Sequence, residues 1–496
     1  AKKYQNSHSA NSYFYFVIFS CKCNFARPAR LGIIIAAIQR FRDIKGDSLT
    51  RLKFIDNISG LQAVQLLRFI VFLVISIVFT KSHLTRAQIG NWELFLFISS
   101  LLSFFWVTGI IQSLLTLYDR NRTFRDDGAR EGRKSPEIYN AFLLISFFSL
   151  LVFILGIPIR FMFESSEATP GIPYPNLLLL YILFSNPVAL IEYIYLLNKR
   201  PHRILQYGIY TYSAQLVLVL APVLAGYDEK SAIWGLFAIT GARWVWLIIL
   251  LRRYTLLKVS YDFIREHLRV GMPLILTFLI SGSAQYIDGI IISARYEDPG
   301  VFAMYRYGAK EFPLVLLLAN GLSNALLPRF STREGMREAL VTLRQRSARL
   351  INYLFPISLV TMFAARWVYP RLFTPEFQRS ADVFMIYLLL IIPRLVFPQT
   401  IVIGRRKTKV TLYAAAVEIA INVPLSLWLI KPYGVVGVAL ATFIVYFLEK
   451  LFLIWYVWKK MKIKPSEYIP ITPWLIHTAL LILMFVLIDH RIIDIH

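Results

Sequence analysis

The chain has 496 residues, 57% of them hydrophobic, with 15% aromatic, 17% charged and a mean hydropathy of +0.57. Soluble globular domains carry roughly 45–50% apolar residues. The surplus here falls in blocks long enough to cross about 30 Å of hydrocarbon as helices, which excludes a soluble multidomain enzyme. The net charge of +25 sits between these blocks, so the positive-inside rule accounts for it better than nucleic-acid binding does.

Residues 1–50 read as a tail apart from the membrane architecture. The runs Tyr13–Ser20 and Leu31–Ile38 are too short to span a bilayer. Cys21 and Cys23, the chain's two cysteines, are one residue apart and make at most half a metal site, so neither a metal centre nor a disulfide is expected.

The stretch 51–251 reads as a lobe of six spans, near 61–80, 92–117, 138–157, 176–197, 204–224 and 233–251. Residues 252–270 follow, alternating apolar and basic side chains as a helix on the membrane surface would. A second lobe over 271–457 has spans near 271–294, 301–327, 350–369, 381–403, 410–430 and 436–457. The extension 458–496 contains a weaker thirteenth run at 471–488. The fold class is therefore all-α and polytopic, with two six-helix lobes and a further helix.

Alternate loops carry most of the basic residues: Arg120–Lys134, Lys199–Arg203, Arg252–Arg269, Arg329–Arg349, Arg405–Lys409 and Lys459–Lys464. These loops are expected to face the cytoplasm. Both lobes then start from the same side, a parallel repeat about the membrane normal. No loop is large enough for a soluble domain. Asp126 and Asp127 lie among arginines and read as a solvated charge run. With no paired acidic motif on the outer side and no nucleotide-binding glycine loop, neither a membrane enzyme nor direct ATP drive is expected.

An ionisable side chain inside a span is costly, and it usually faces a bundle interior or a water-filled cavity. Arg68, Glu192, Arg243, Asp288, Arg306, Lys310, Glu311, Arg394, Glu418 and Glu449 are such residues. Arg243 and Glu449 lie near cytoplasmic loops, where snorkelling explains them. Arg306 and Lys310 are four apart and are expected on one helix face, as are Gln65 and Arg68, three apart. Arg68, Arg306, Lys310 and Arg394 would together suit a pyrophosphate, Arg through its planar fork and Lys as a point charge. Gln65, Asp288 and Glu311 are the candidates for a polar or ion-coupling role; Asp288 or Glu311 would carry a proton or sodium ion, or pair with Arg306 or Lys310. This reading expects Lys310→Ala and Arg394→Ala each to abolish transport at unchanged membrane abundance.

Three stretches carry a family resemblance. Gly60 to Arg68 and Leu84 to Gly90 open the first lobe; Gly271-Met272-Pro273-Leu274, then Tyr286-Ile287-Asp288, open the second. The third runs from Gly404-Arg405-Arg406-Lys407-Thr408 through Asn422 and Pro424 to Lys431-Pro432-Tyr433-Gly434 and on to Thr442. Over about 58–460 this order resembles O-antigen-flippase-like (Wzx-like) polysaccharide exporters of the multidrug/oligosaccharidyl-lipid/polysaccharide (MOP) superfamily. The resemblance implies a MATE-like fold in the bacterial inner membrane, moving undecaprenyl-pyrophosphate-linked oligosaccharide by alternating access. It implies drive by an ion gradient or the membrane potential without an organic cofactor, a monomer, and contact with membrane lipids and other polysaccharide-assembly proteins. A thirteenth helix departs from the family's even count. The alternatives are a multidrug or cation antiporter, a lipid II flippase of the same superfamily, and a polytopic glycosyltransferase or polymerase.

Overall fold

A computed structural model describes residues 57–124, 136–164, 172–331 and 333–489, which belong to one compact unit. The expected tail with Cys21 and Cys23, and the loop with Asp126 and Asp127, lie outside the described residues.

The first half contains α1 (Asn57–Thr80), α2 (Arg86–Leu101), α3 (Phe104–Phe124), α4 (Pro136–Glu164), α5 (Pro175–Ser185), α6 (Leu190–Leu197), α7 (Pro201–Leu224) and α8 (Glu229–Tyr254). The second contains α9 (Tyr261–Arg295), α10 (Pro299–Gly308), α11 (Pro313–Leu326), α12 (Arg333–Leu372), α13 (Arg379–Leu389), α14 (Pro398–Gly404), α15 (Thr408–Tyr433), α16 (Val435–Met461) and α17 (Ile471–Asp489). Among the described residues, ten helices are long and apolar enough to cross a membrane. Two bent pairs raise the figure to as many as twelve: α2 with α3 at 44°, and Pro375–Arg394 with α14 at 50°. The weak thirteenth run is a real helix, α17, docked on α12.

Local chemistry sets these boundaries. Thr85 closes a capping box on α2, its hydroxyl accepting from Gln88 N while Gln88 Oε1 accepts from Thr85 N at 2.9 Å. Asp228 caps α8 and Ser260 caps α9. Proline stands at the first turn of α5, α7, α10, α11 and α14, where its missing N–H has no partner to lose. Gly434, at φ +61°, makes the turn from α15 to α16.

Two expected boundaries move. The seventh span begins at Tyr261, not 271, because Ser260 starts a continuous 35-residue helix that carries Pro273 in its interior. The eighth span is not one helix. It stops at Gly308 and restarts at Pro313, leaving residues 309–312 non-helical. Pro313 disfavours continuation of the preceding helix, since its ring crowds the carbonyl four residues back, and it stands instead in the first turn of α11.

The halves meet along two seams. In the first, α10 lies on α2 so closely that a Cβ on Gly90 would sit 2.1 Å from the Pro299 carbonyl carbon. Phe97 and Phe302 pack there with ring centroids 5.1 Å apart. In the second, α9 runs along α3: Gly109 faces Ile275, Gly282 faces Phe104, and the His267 imidazole lies 2.9 Å from the Ile110 carbonyl oxygen.

Candidate functional site

The ionisable residues that the sequence places inside spans fall into four settings. The first is in the first half. Arg68 of α1 donates from Nη2 to Glu192 Oε1 of α6 at 2.6 Å, and from Nε to the Tyr212 hydroxyl of α7. Arg243 of α8 donates to Gln215 Oε1 at 2.9 Å. Both guanidinium groups lie against the Tyr212 ring, at 5.4 and 5.0 Å from its centroid. Gln65, one turn before Arg68, is exposed. Arg243 therefore does not simply snorkel: it sits inside this cluster.

The second setting is the α2/α10 seam. Arg306 Nε lies 4.0 Å from Glu93 Oε2, and Ser76 Oγ donates to Glu93 Oε1 at 3.4 Å. The Arg306 guanidinium stands over Phe97 and the Lys310 ammonium over Tyr307, at 5.7 and 5.1 Å. Lys310 does not share a helix face with Arg306, as the four-residue spacing suggests, because it falls in the break before Pro313. Glu93 escaped sequence reasoning. Its signal was a lone carboxylate within the apolar run Trp92–Phe97, and it is buried.

Asp288 of α9 is the third. Its Oδ2 accepts from Thr442 at 2.6 Å, Tyr305 at 2.8 Å and Tyr387 at 3.2 Å. Asn422 donates in turn to Thr442 at 3.2 Å. Oδ1 is buried and has no hydrogen-bond partner among the described residues. The expected ion pair of Asp288 with Arg306 or Lys310 is not formed; hydroxyls from three other helices hold the carboxylate instead.

The fourth is a cavity of about 520 Å³ between α9, α14, α15 and α16, lined by Glu311, Arg394, Glu418, Tyr446, Glu449 and Lys450 and reaching Asn422 and Thr442. Arg394 grips Glu311 with both ends of its fork, Nε at 2.9 Å from Oε2, and donates to the Tyr446 hydroxyl at 2.8 Å. Lys450 donates to Glu449 at 2.8 Å and to Gln399 at 3.1 Å. Glu449 therefore lines the cavity and does not snorkel to the interface, and Lys450 is a cation that sequence reasoning overlooked. The cavity is of mixed charge: Glu311, Glu418 and Glu449 line it together with Arg394 and Lys450.

Arg68, Arg306 and Arg394 thus each have a different carboxylate neighbour: Glu192, Glu93 and Glu311. Such internal neutralisation lowers the cost of a charge in the membrane. It also means that an anionic ligand has to compete with a resident carboxylate.

Bent spans, a break in the eighth and polar clusters within each half describe a polytopic helical fold, whose class is given by known structures. A structure titled "Lipid II flippase MurJ, inward closed conformation" superposes with a TM-score of 0.63 at 16% identity, over 88% of this chain and 94% of that one. A mutant of the Vibrio cholerae MATE transporter VcmN gives 0.53 at 14% identity, over 82% and 96%. An inward-facing multidrug resistance MATE family transporter of the MOP superfamily gives 0.53 at 12%, over 85% and 97%. The fold is that of the MOP superfamily. The family described as "Lipid II flippase MurJ" matches residues 186–493. The chain belongs to that family. No curated protein matches the sequence.

Proposed function

We propose that this protein moves a polyprenyl-pyrophosphate-linked saccharide between the leaflets of a bacterial plasma membrane, with the peptidoglycan precursor lipid II as its substrate. The family match over 186–493 carries this reading and favours lipid II over the O-antigen unit that the sequence resemblance suggests. The cations support it chemically. Arg68 is open on one side, Arg306 touches Glu93 only at 4.0 Å, and Lys310 has no ion pair among the described residues, so each has capacity for phosphate oxygens. The basic loops face the cytoplasm in this proposal, and the lobes rock about the α2/α10 and α3/α9 seams. Asp288, a buried carboxylate held by hydroxyls, is the candidate for the coupling proton or sodium ion; Glu311, locked to Arg394, and the exposed Gln65 are polar groups of the transport path.

Native mass spectrometry with equimolar lipid II and an undecaprenyl-pyrophosphate O-antigen unit tests the substrate. Preferential retention of lipid II is expected. Preferential retention of the O-antigen unit would return the assignment to the polysaccharide exporters, and retention of neither would remove the lipid-linked substrate.

A further inference from the structure

Inside the first half, two guanidinium groups lie against one tyrosine ring, and among the described residues one carboxylate, that of Glu192, is paired with them. Arg68 is paired with Glu192. Among the described residues, the hydrogen-bond partner of Arg243 is neutral, the Gln215 side-chain oxygen. Gln215 is 1% exposed, and its Nε2 has no hydrogen-bond partner among the described residues; nor has the buried Nε of Arg243. Tyr212 and Gln215 are three apart on α7 and so share a helix face.

Buried donors without acceptors are costly, and a guanidinium without a counter-charge inside a membrane protein more so. Among the described residues, Arg243 Nε and Gln215 Nε2 have no acceptor, and beside them the Arg68 fork, held by Glu192 and Tyr212, adds further donors and positive charge. A phosphate group supplies what is missing: several acceptor oxygens and negative charge, matched to planar guanidinium donors. The cluster is open to a ligand on the Arg68 side, where 44% of that side chain is accessible.

We propose that Arg243, Gln215, Tyr212 and Arg68 form a phosphate-binding site within the first half, separate from Arg306 and Lys310. Glu192 is its resident competitor: it occupies the Arg68 fork when the site is empty and yields it when a phosphate arrives. This deepens the flippase reading, on which the identity of the phosphate as a lipid-linked pyrophosphate rests. The device keeps a strongly cationic site neutral enough to stay in the membrane, and it limits affinity so that the headgroup can leave again.

The test is calorimetric titration of full-length protein in lipid nanodiscs with farnesyl pyrophosphate, using farnesol as the control for the tail and inorganic pyrophosphate as competitor. Arg243→Gln removes charge-assisted hydrogen bonds and is expected to weaken binding by about ten- to a hundredfold. Arg243→Lys, which keeps the charge but not the fork, falls between. Glu192→Gln is expected to tighten binding, a gain that a misfolded protein cannot produce. Inorganic pyrophosphate displaces the probe. Farnesol binding as tightly as farnesyl pyrophosphate, or unchanged affinity in both Arg243→Gln and Glu192→Gln, would overturn the site. The same preparations are assayed for lipid II movement in proteoliposomes. Movement of lipid II with unaltered pyrophosphate affinities overturns this site and leaves the flippase reading standing. The expected affinities without lipid II movement keep the site and overturn the flippase reading.

Discussion

Gly90→Ala should open the α2/α10 seam. The added Cβ would lie 2.1 Å from the carbonyl carbon of Pro299, 2.2 Å from its oxygen and 2.6 Å from the Gly300 nitrogen. All three are backbone atoms, so no side chain can rotate away. Ordinary contact begins near 3.4 Å, and the first turn of α10 therefore has to withdraw by more than an ångström. Overpacking of this kind costs about 1–3 kcal/mol. Placed on one of two conformations, that cost shifts their ratio by roughly 5- to 150-fold. The ion pair of Arg86 with Asp298 in the same seam, at 3.7 Å and with both side chains at least a third exposed, is too solvated to compensate. A reporter is Phe302→Cys, at a position 1% exposed, in protein whose Cys21 and Cys23 are serine. A water-soluble maleimide should label it slowly with Gly90 and much faster with Ala. Equal labelling rates would refute the close packing on which the seam is argued.

The two cation variants that the sequence treats alike should now behave differently. Arg394→Ala strands Glu311; breaking a buried pair costs about 3–5 kcal/mol. With about a quarter of each side chain exposed, about 2 kcal/mol is the better figure, read as a lower Tm and lower abundance. The double variant Arg394→Met/Glu311→Gln should recover most of that loss, and a single variant as stable as the parent would contradict the pairing. Lys310 forms no ion pair among the described residues, so in Lys310→Ala transport should fall with Tm unchanged; a fall in both would show that Lys310 is structural. Asp288→Asn keeps an acceptor for Thr442, Tyr305 and Tyr387 but removes the charge. It should abolish gradient-driven transport while the protein stays folded, and gradient dependence surviving in Asp288→Asn would remove that residue from coupling.

The spans were readable because a helix that crosses lipid has to be apolar over most of its length, and that pattern is local. The break in the eighth span was half visible: a proline at 313 is a local signal against an unbroken helix, but nothing nearby said that Lys310 would leave the helix, which separates it from Arg306. Partners were not readable at all. Arg68 finds Glu192 across 124 positions, and Asp288 finds Thr442 across 154. Such pairings depend on how helices pack, not on spacing along one of them. Glu449 shows the opposite difficulty: proximity to a basic loop suggested snorkelling, yet its side chain is 6% exposed and lines the cavity with Lys450.

The central claim is that this protein carries a pyrophosphate-linked saccharide across a bilayer, and the most direct measurement follows that movement. Purified protein is reconstituted in liposomes with lipid II in both leaflets, and a glycan-cleaving enzyme is added outside. Protein-dependent cleavage of the inner-leaflet fraction, reduced by Lys310→Ala, is the predicted result. An inner-leaflet fraction that stays protected at every ion gradient, with drug-cation exchange in the same vesicles, would contradict the account and favour an antiporter.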